Sequence, residues 1–229
     1  MQDYSAYQTF AKDVLGVEFN DINLLVTAFT HRSYVNEHRK TAQGHNERLE
    51  FLGDAVLELV VTNFLFKNYS EPEGVLTNWR SALVRTESIG EAAARENFEP
   101  LLRLSRGERR GTDRARAQIL ANSFEAVIGA LYLDQGYDQA EQFVSNQLFG
   151  LIEDIVENKK FIDSKSRFQE AAQEHTGITP SYKLIKEIGP DHNKIFVVAV
   201  FVGDDEVAQG EGKSKQEAEQ QAAEKGLHA

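Results

Sequence analysis

The first two thirds of the chain carry the hydrophobic pattern of an all-helical protein. Apolar residues recur every three or four positions, which is the period of a helix with one buried face. Glycine and proline residues separate these segments and mark the turns between them. The pattern predicts helices over residues 15–19, 24–29, 49–66, 119–133 and 143–156.

The pattern changes after a short polar segment near residue 158. Residues 164–175 have helical spacing, whereas residues 195–202 form a short run rich in valine and phenylalanine between turn residues, which favours a strand. Two further strands are predicted over residues 181–188 and 206–212, and a closing helix over residues 215–227. The order α-β-β-β-α predicts two helices on one face of a three-stranded antiparallel sheet.

These patterns divide the 229 residues into two domains. A chain of this length can bury a core in each. We predict an all-α domain over residues 1–157, a linker over residues 158–162 and a small α+β domain over residues 163–229.

Composition narrows the possible chemistry. The chain has no cysteine, so a bound metal would need oxygen or imidazole ligands. The longest apolar run, residues 195–202, is far shorter than the roughly 20 residues that span a bilayer. The N-terminal segment lacks the basic start and apolar centre of a signal peptide. We therefore expect a soluble, cytoplasmic protein with no membrane partner.

The charge distribution is uneven. Lys and Arg number 25 against 36 Asp and Glu, a net charge of −11 that opposes attraction to phosphates. Residues 103–116, however, contain six arginines against Glu108 and Asp113. This segment is either a solvated loop or a stretch that contacts phosphates.

Acidic residues cluster on two of the predicted helices. Glu47, Glu50 and Asp54 have i, i+3, i+7 spacing, which places them on one side of a helix, where like charges repel. Asn122 and Glu125 lie three residues apart within an apolar helix. If the two helices pack side by side, these oxygen atoms could bind a divalent cation. The alternative is a solvated acidic face.

Several of these segments resemble the ribonuclease III family. Residues 46–57, NERLEFLGDAVL, resemble its signature, and the C-terminal domain resembles the double-stranded-RNA-binding domain of bacterial members. The resemblance covers nearly the whole chain. Supporting motifs in the family's order are residues 30–34, 73–74, 119–136, 189–192 and 210–215.

The resemblance implies an endoribonuclease that hydrolyses double-stranded RNA with Mg²⁺, for which Mn²⁺ can substitute. Its products would carry 5′ phosphates and short 3′ overhangs, and its substrates would be structured precursors of ribosomal and messenger RNA. The implied catalytic residues are Asp54 and Glu125. The implied metal ligands are Glu50, Asp54, Asn122 and Glu125.

The resemblance also implies a homodimer, because one site cuts one strand and a two-fold axis supplies the second site. Phe51 would pack at the dimer interface, although an ordinary core position is the alternative. Glu47 and Glu73 would lie at the edge of the site. His31 and His45, close to the acidic helix in sequence, are interpreted as structural.

In the C-terminal domain the resemblance implies contacts with RNA, which such domains recognise by shape over about 16 base pairs. The implied contact residues are Gln169, Glu170, His192, Lys213 and Lys215. The two lysines lie at the start of the closing helix, where the helix dipole favours phosphate. Family members often have a basic residue where this chain has Gln216, so we expect weaker, salt-sensitive binding.

Asn122 departs from the family's pattern, in which aspartate is common at this position. An amide oxygen brings no negative charge, which leaves two hypotheses: an enzyme that needs more magnesium, or an RNA-binding relative that cuts poorly.

A third hypothesis is a carboxylate-bridged di-iron protein. Such proteins carry Glu-x-x-His pairs on their helices, and neither acidic helix of this chain contains one.

Overall fold

The computed structural model of the chain describes residues 3–39, 42, 44–157, 164–190 and 194–228, apart from the side chains of residues 154 and 157. The chain folds as two compact units, residues 1–158 and 159–229. The predicted linker, residues 158–162, lies outside the described residues, so its bounds stay a prediction. Among the described helices, none is both long enough and apolar enough to cross a membrane.

The described part of the first unit is helical. Its two longest helices contain the predicted segments 49–66 and 119–133 and extend beyond them, whereas the predicted segment 143–156 is divided between two helices. Thr112 caps the longest helix, because its side chain accepts a hydrogen bond from the Ala115 amide at 3.3 Å. The helices are α1 (Ser5–Asp13), α2 (Ile22–Ala28), α3 (Arg32–Glu37), α4 (Glu47–Asn68), α5 (Glu73–Val84), α6 (Thr86–Arg95), α7 (Asp113–Gln135), α8 (Tyr137–Leu148) and α9 (Ile152–Glu157).

Residues 15–19 are not helical, and this prediction was wrong. The first helix lies earlier in the chain and ends at Asp13. Gly16 follows with a φ of 70°, a conformation that favours glycine and ends the helix. Leu15 is buried, but it lies in the turn after α1. Its apolar side chain therefore indicated a buried position and not a helix.

Helices α4 and α7 are in direct backbone contact. A Cβ atom on Gly53 of α4 would overlap the backbone carbonyl of Glu125, and one on Gly129 of α7 would overlap that of Leu49. Because glycine has no side chain, the two helices approach more closely than larger residues would allow. This contact fixes which residues of the two helices face each other.

An aromatic core lies beside this pair of helices. Phe29, Phe98 and Phe124 are fully buried. The rings of Phe29 and Phe98 are 5.0 Å apart, and Phe10 of α1 contacts both edge-on, at 5.3 and 5.2 Å. Such edge-to-face pairs add to the stability that burial provides. The cluster joins α1 and the end of α2 to α7.

The second unit has the predicted α-β-β-β-α order. Its elements are α10 (Ser164–Thr176), β1 (Ser181–Ile188), β2 (Ile195–Val202), β3 (Asp205–Gly212) and α11 (Lys215–Gly226). The strands pair antiparallel in the order β1-β2-β3. Phe168 of α10 and Ala222 of α11 pack on Val200 of β2, so both helices cover one face of the sheet. The predicted fold class is confirmed.

Candidate active site

The start of α4 presents the predicted acidic residues at its surface. Glu47 and Asp54 are exposed and Glu50 is half-buried. The buried Asn46 precedes the helix, and its backbone amide donates a hydrogen bond to the Thr30 carbonyl at 2.9 Å. This bond ties the acidic end of α4 to the segment after α2.

Glu125 of α7 lies next to the same carboxylates, because the contact at Gly53 brings the two helices together. Burial, followed by the negative charges of Asp54 and Glu50, raises the pKa of Glu125 to about 7. Burial also raises the pKa of Glu50, and the charge of Glu47 adds to this effect. Residues from two helices therefore form one group of mutually repelling carboxylates.

The chemistry of this group fits a hard divalent cation, which prefers oxygen ligands and would relieve the repulsion that, after burial, contributes to the raised pKa of Glu125. The side chains are not already converged on one point: within the described ranges, no three Asp, Glu or His residues are placed so that they could hold a metal ion. Binding a cation would therefore require carboxylate side chains of Glu50, Asp54 and Glu125 to turn toward it.

Asn122, a predicted metal ligand, is hydrogen-bonded to Gln118 and lies next to Glu50. Gln118 donates a hydrogen bond from Nε2 to Oδ1 of Asn122 at 2.7 Å. Burial is the main cause of the raised pKa of Glu50, and the amide of the neighbouring Asn122 offsets part of that effect. Asn122 is thus beside the carboxylates, as expected. Gln118 was missed, although its spacing of four residues from Asn122 on one helix could have indicated the contact.

Glu47 lies at the edge of this group. Its carboxylate forms an ion pair with Arg32 at 3.2 Å and lies 3.7 Å from Nδ1 of His45. Arg32 was not singled out in the sequence. His31 has a local role, because its Nδ1 accepts a hydrogen bond from the Ser33 amide at the start of α3.

Glu73 does not join the carboxylates within one chain. It begins α5, and it lines a cleft together with Thr62 and Phe66 from the far half of α4. Thr62 follows Asp54 by eight residues, which corresponds to about 12 Å along the helix axis. Thr77 donates a hydrogen bond to Glu73 at 3.3 Å.

Phe51 is 82% exposed, which rules out the alternative of a core position within the single chain. Leu59 and Phe66 of α4 are also exposed, at 56% and 77%. At about 100° per residue these three side chains fall within roughly 80° of one another around the helix. They form an apolar stripe, Phe51–Leu59–Phe66, along α4. Phe51 also borders a cleft of about 840 Å³ that Leu24, His45 and Leu133 line.

Comparison with known proteins identifies the family to which this chain belongs. A family model described as Ribonuclease-III-like matches residues 21–152, and one described as double-stranded RNA binding motif matches residues 164–229. A Ribonuclease 3 of Enterococcus faecalis is 44% identical over 220 residues, which cover 96% of this chain and 95% of that protein. The chain belongs to the ribonuclease III family.

Further comparisons agree with this assignment. A Ribonuclease 3 of Latilactobacillus sakei is 46% identical over 213 residues, 93% of this chain and 92% of that protein. The solved nuclease domain of ribonuclease III from Campylobacter jejuni has 35% identity and a TM-score of 0.54, and covers 60% of this chain and 96% of that domain. The chain is accordingly a ribonuclease III, an endoribonuclease that acts on double-stranded RNA, from a family that generally depends on divalent metal.

In the second unit of this ribonuclease III, three of the five predicted contact residues lie on helices. Gln169 and Glu170 lie on α10, Lys215 begins α11, and Lys213 precedes it; His192 lies outside the described residues. The start of α11 is capped, because Ser214 accepts a hydrogen bond from the Glu217 amide at 3.1 Å and Glu217 accepts one from the Lys213 amide at 2.7 Å. These two backbone amides are therefore already hydrogen-bonded within the protein and are not available to an RNA phosphate. The groups that remain for a phosphate are the side chains of Lys213 and Lys215.

Proposed function

We propose that this ribonuclease III hydrolyses phosphodiester bonds of double-stranded RNA with Mg²⁺ held by Glu50, Asp54 and Glu125. The observation that carries the proposal is the backbone contact between Gly53 and Glu125, which brings Glu125 beside the carboxylates of α4. In keeping with this placement, burial and the charges of Asp54 and Glu50 raise the pKa of Glu125 to about 7. A group of repelling carboxylates costs stability unless a cation neutralises it. Mn²⁺, which also takes oxygen ligands, would substitute.

In this mechanism the protein supplies position and charge. Asp54 and Glu125, from helices fixed to each other at Gly53, would hold the ion beside the scissile phosphate and are the residues on which hydrolysis depends most. When bound there, a divalent ion would supply a water of lowered pKa and would neutralise charge on the phosphate and the leaving oxygen. The products would carry 5′ phosphates and short 3′ overhangs. Glu47, held by Arg32 at the edge, would limit the approach of the RNA backbone to one side.

We infer that the stripe Phe51–Leu59–Phe66 is the interface of a homodimer. Its exposed aromatic and aliphatic side chains are costly to leave in water. The stripe extends about 22 Å along α4, and the cleft of about 840 Å³ beside Phe51 offers room for the aromatic ring of a second copy. A two-fold axis would supply two sites, one for each RNA strand. The C. jejuni nuclease domain has been described with a flexible region involved in dimer formation.

Glu73 would complete the site of the partner subunit. If the stripes of two copies pack antiparallel about an axis near Leu59, the Phe66 end of one copy lies beside the Phe51 end of the other. Glu73 lines the cleft next to Phe66, so it would approach the partner's acidic group. Such a dimer would explain why Glu73 lies far from Asp54 of its own chain.

The RNA would contact both units. In the second unit Gln169, Glu170, Lys213 and Lys215 would touch the minor groove and the adjoining phosphates. In the first unit the exposed arginines before α7 and in its first turn would contact phosphates on the approach to Glu125. These are Arg106, Arg109, Arg110 and Arg114. The expected substrates are structured precursors of ribosomal and messenger RNA in the cytoplasm.

The test is cleavage of a labelled RNA duplex across a magnesium titration by the wild type and by Glu125→Gln, which keeps the shape of the side chain and removes its charge. We expect magnesium-dependent cleavage by the wild type and a loss of about a hundredfold or more in the variant. Retained cleavage in the variant, or cleavage without divalent metal, would contradict the proposal.

A second candidate follows from Asn122, which lacks the charge of the family's usual aspartate: an RNA-binding protein that cuts poorly. Cleavage by Asn122→Asp separates the two. If the wild type binds the duplex without cutting it at any magnesium concentration, and Asn122→Asp cuts, the second candidate is correct. If the wild type cuts and Asn122→Asp only lowers the magnesium requirement, the enzyme is fully competent.

A further inference from the structure

The six arginines of residues 103–116 are of two kinds in the structure. Arg103 and Arg116 are half-buried, and their guanidinium groups contact other parts of the protein. The other four are exposed: Arg106, Arg109, Arg110 and Arg114. The sequence does not distinguish the two kinds, because all six side chains carry the same charge.

Arg103 is bound to the segment that joins α2 and α3. Its guanidinium carbon lies 4.3 Å from the centre of the Tyr34 ring, and its Nη2 donates a hydrogen bond to the Tyr34 hydroxyl at 3.1 Å. Its Nη1 donates to the hydroxyl of Thr30 at 3.3 Å. Its backbone amide donates to the Phe29 carbonyl at 2.8 Å, and its carbonyl accepts from the His31 amide at 3.1 Å. Contacts within the protein therefore fix both its backbone and its side chain.

Thr30 connects Arg103 to the acidic helix α4. Thr30 is buried, and its carbonyl accepts a hydrogen bond at 2.9 Å from the amide of Asn46, the residue before α4. Its hydroxyl is the group to which Arg103 donates. Helix α3 is tied to the same end of α4, because Arg32 pairs with Glu47 at 3.2 Å. The beginning of the arginine-rich segment is therefore fixed relative to the carboxylates.

Arg116 is bound to the later part of the same segment. Its Nη2 donates a hydrogen bond to the backbone carbonyl of Arg109 at 2.8 Å, and its Nη1 forms an ion pair with Glu99 at 2.9 Å. Between these two attachments, the Ser105 amide donates to the Ser33 hydroxyl at 3.1 Å. The stretch from residue 103 to residue 109 is thus attached to the protein at both ends.

We propose that Arg103 and Arg116 are positioning residues, which hold the exposed arginines between them toward the phosphates of the RNA and do not contact RNA themselves. The inference rests on the proposed function, in which those exposed arginines bind phosphates. The donors that Arg103 and Arg116 direct to protein groups are not available to a phosphate. Cations on a backbone that is already held in place need less ordering when RNA binds, which favours affinity.

The substitutions Arg103→Lys and Arg116→Lys test this role. Lysine keeps the charge but lacks the planar fork of donors that reaches two acceptors at once. The affinity of each full-length variant for a long RNA duplex is measured by fluorescence anisotropy at several KCl concentrations, with a chelator present so that the RNA stays intact. We expect roughly tenfold weaker binding near 0.1 M salt and a salt slope lower by about one, the contribution of one phosphate contact.

The same substitutions are repeated in a second background in which Arg106, Arg109 and Arg110 are replaced by alanine. In this background each should change the affinity by about twofold or less, because the cations that it positions are absent. Arg95→Lys is the matched control: Nη2 of Arg95 donates to the Gln147 carbonyl of α8 at 2.8 Å, and its replacement should leave the affinity and the slope unchanged.

Urea titration establishes that each variant is folded. Tyr34→Phe, which keeps the ring beside Arg103 and removes only the hydroxyl that accepts its hydrogen bond, gives the same comparison where a lysine variant does not fold. We expect weaker binding from it in the first background only.

Equal losses of affinity in the two backgrounds would overturn the inference, because Arg103 and Arg116 would then act independently of the exposed arginines. Weaker binding with an unchanged salt slope would overturn it as well. If the triple alanine variant binds duplex RNA as tightly as the wild type, the arginine contacts of the proposed function fail and the inference fails with them. If the triple variant binds more weakly while both lysine variants bind like the wild type, the inference alone fails.

Discussion

Gly53 of α4 and Glu125 of α7 are in contact through their backbones, so closely that a Cβ atom at residue 53 would overlap the Glu125 carbonyl. The same glycine therefore sets the spacing of the two helices and the distance between the carboxylates that they carry. We therefore expect both the stability of the protein and its rate of RNA cleavage to depend on Gly53.

Gly53→Ala should separate the two helices. Overpacking of a tight contact costs about 1–3 kcal/mol of the free energy of unfolding, and more where backbone must move. We expect a clear loss of stability in urea titrations and a parallel loss of RNA cleavage. Gly74→Ala is the matched control, because a Cβ atom there meets no atom within 4 Å, and it should stabilise by up to about 1 kcal/mol. Equal stability of the two variants would contradict this account of the contact.

The metal-free protein should lose stability as pH rises through the range in which Glu125 ionises. The pKa of Glu125 is about 7 in the folded protein against an ordinary value of 4.5. Between these values the folded state binds more protons than the unfolded state, so the free energy of unfolding falls as pH increases. Allowing for solvent screening, we expect a loss of roughly 1–3 kcal/mol between pH 5 and pH 8.

Urea unfolding with a chelator at the two pH values checks this expectation. Glu125→Gln should remove most of the dependence, because glutamine does not ionise, and saturating Mg²⁺ should reduce it in the wild type. The same pH dependence in the wild type and in Glu125→Gln would assign the effect to other groups.

Phe51→Ala should weaken the homodimer. Truncation of an aromatic anchor at an interface typically costs about 2 kcal/mol or more, which corresponds to roughly a 30-fold rise in the dissociation constant. Sedimentation equilibrium over a range of protein concentrations measures this constant. Ile185→Ala, at another exposed apolar side chain on β1, should leave it unchanged. An unaltered dissociation constant in Phe51→Ala would place the interface elsewhere.

Lys213→Ala and Lys215→Ala should each weaken binding to duplex RNA and lower the slope of log affinity against log salt by about one. Gln216→Lys should do the reverse, because it adds a cation at the start of α11. Fluorescence anisotropy at several KCl concentrations reports both quantities. Lys183→Ala is the control: its amine lies 4.5 Å from the Phe201 ring on the sheet, and removing it should leave the salt slope as it is.

The sequence by itself determined the two kinds of fold and the element boundaries of the second domain. In the first domain it located the central parts of α4 and α7 but not all of the helix ends. The three-to-four-residue spacing of apolar positions persists through α4 and α7 because one face of each helix is buried, and the valine-rich run that became β2 is too short for a typical helix. Local spacing also placed Glu47, Glu50 and Asp54 on one side of α4, since helix geometry alone fixes their relative directions.

Only the tertiary structure decided which residues meet across elements. The approach of Glu125 to Asp54 depends on contacts at Gly53 and Gly129, between helices about 70 residues apart along the chain, and apolar periodicity does not specify which turns of two helices touch. The tertiary structure also placed Glu73 away from the acidic group and left Phe51 in solvent. The apolar spacing gave a wrong prediction of a helix at residues 15–19 for the same reason. Leu15 is buried by the packing of a turn. The spacing of apolar residues indicates which residues are buried, but not which elements they pack against.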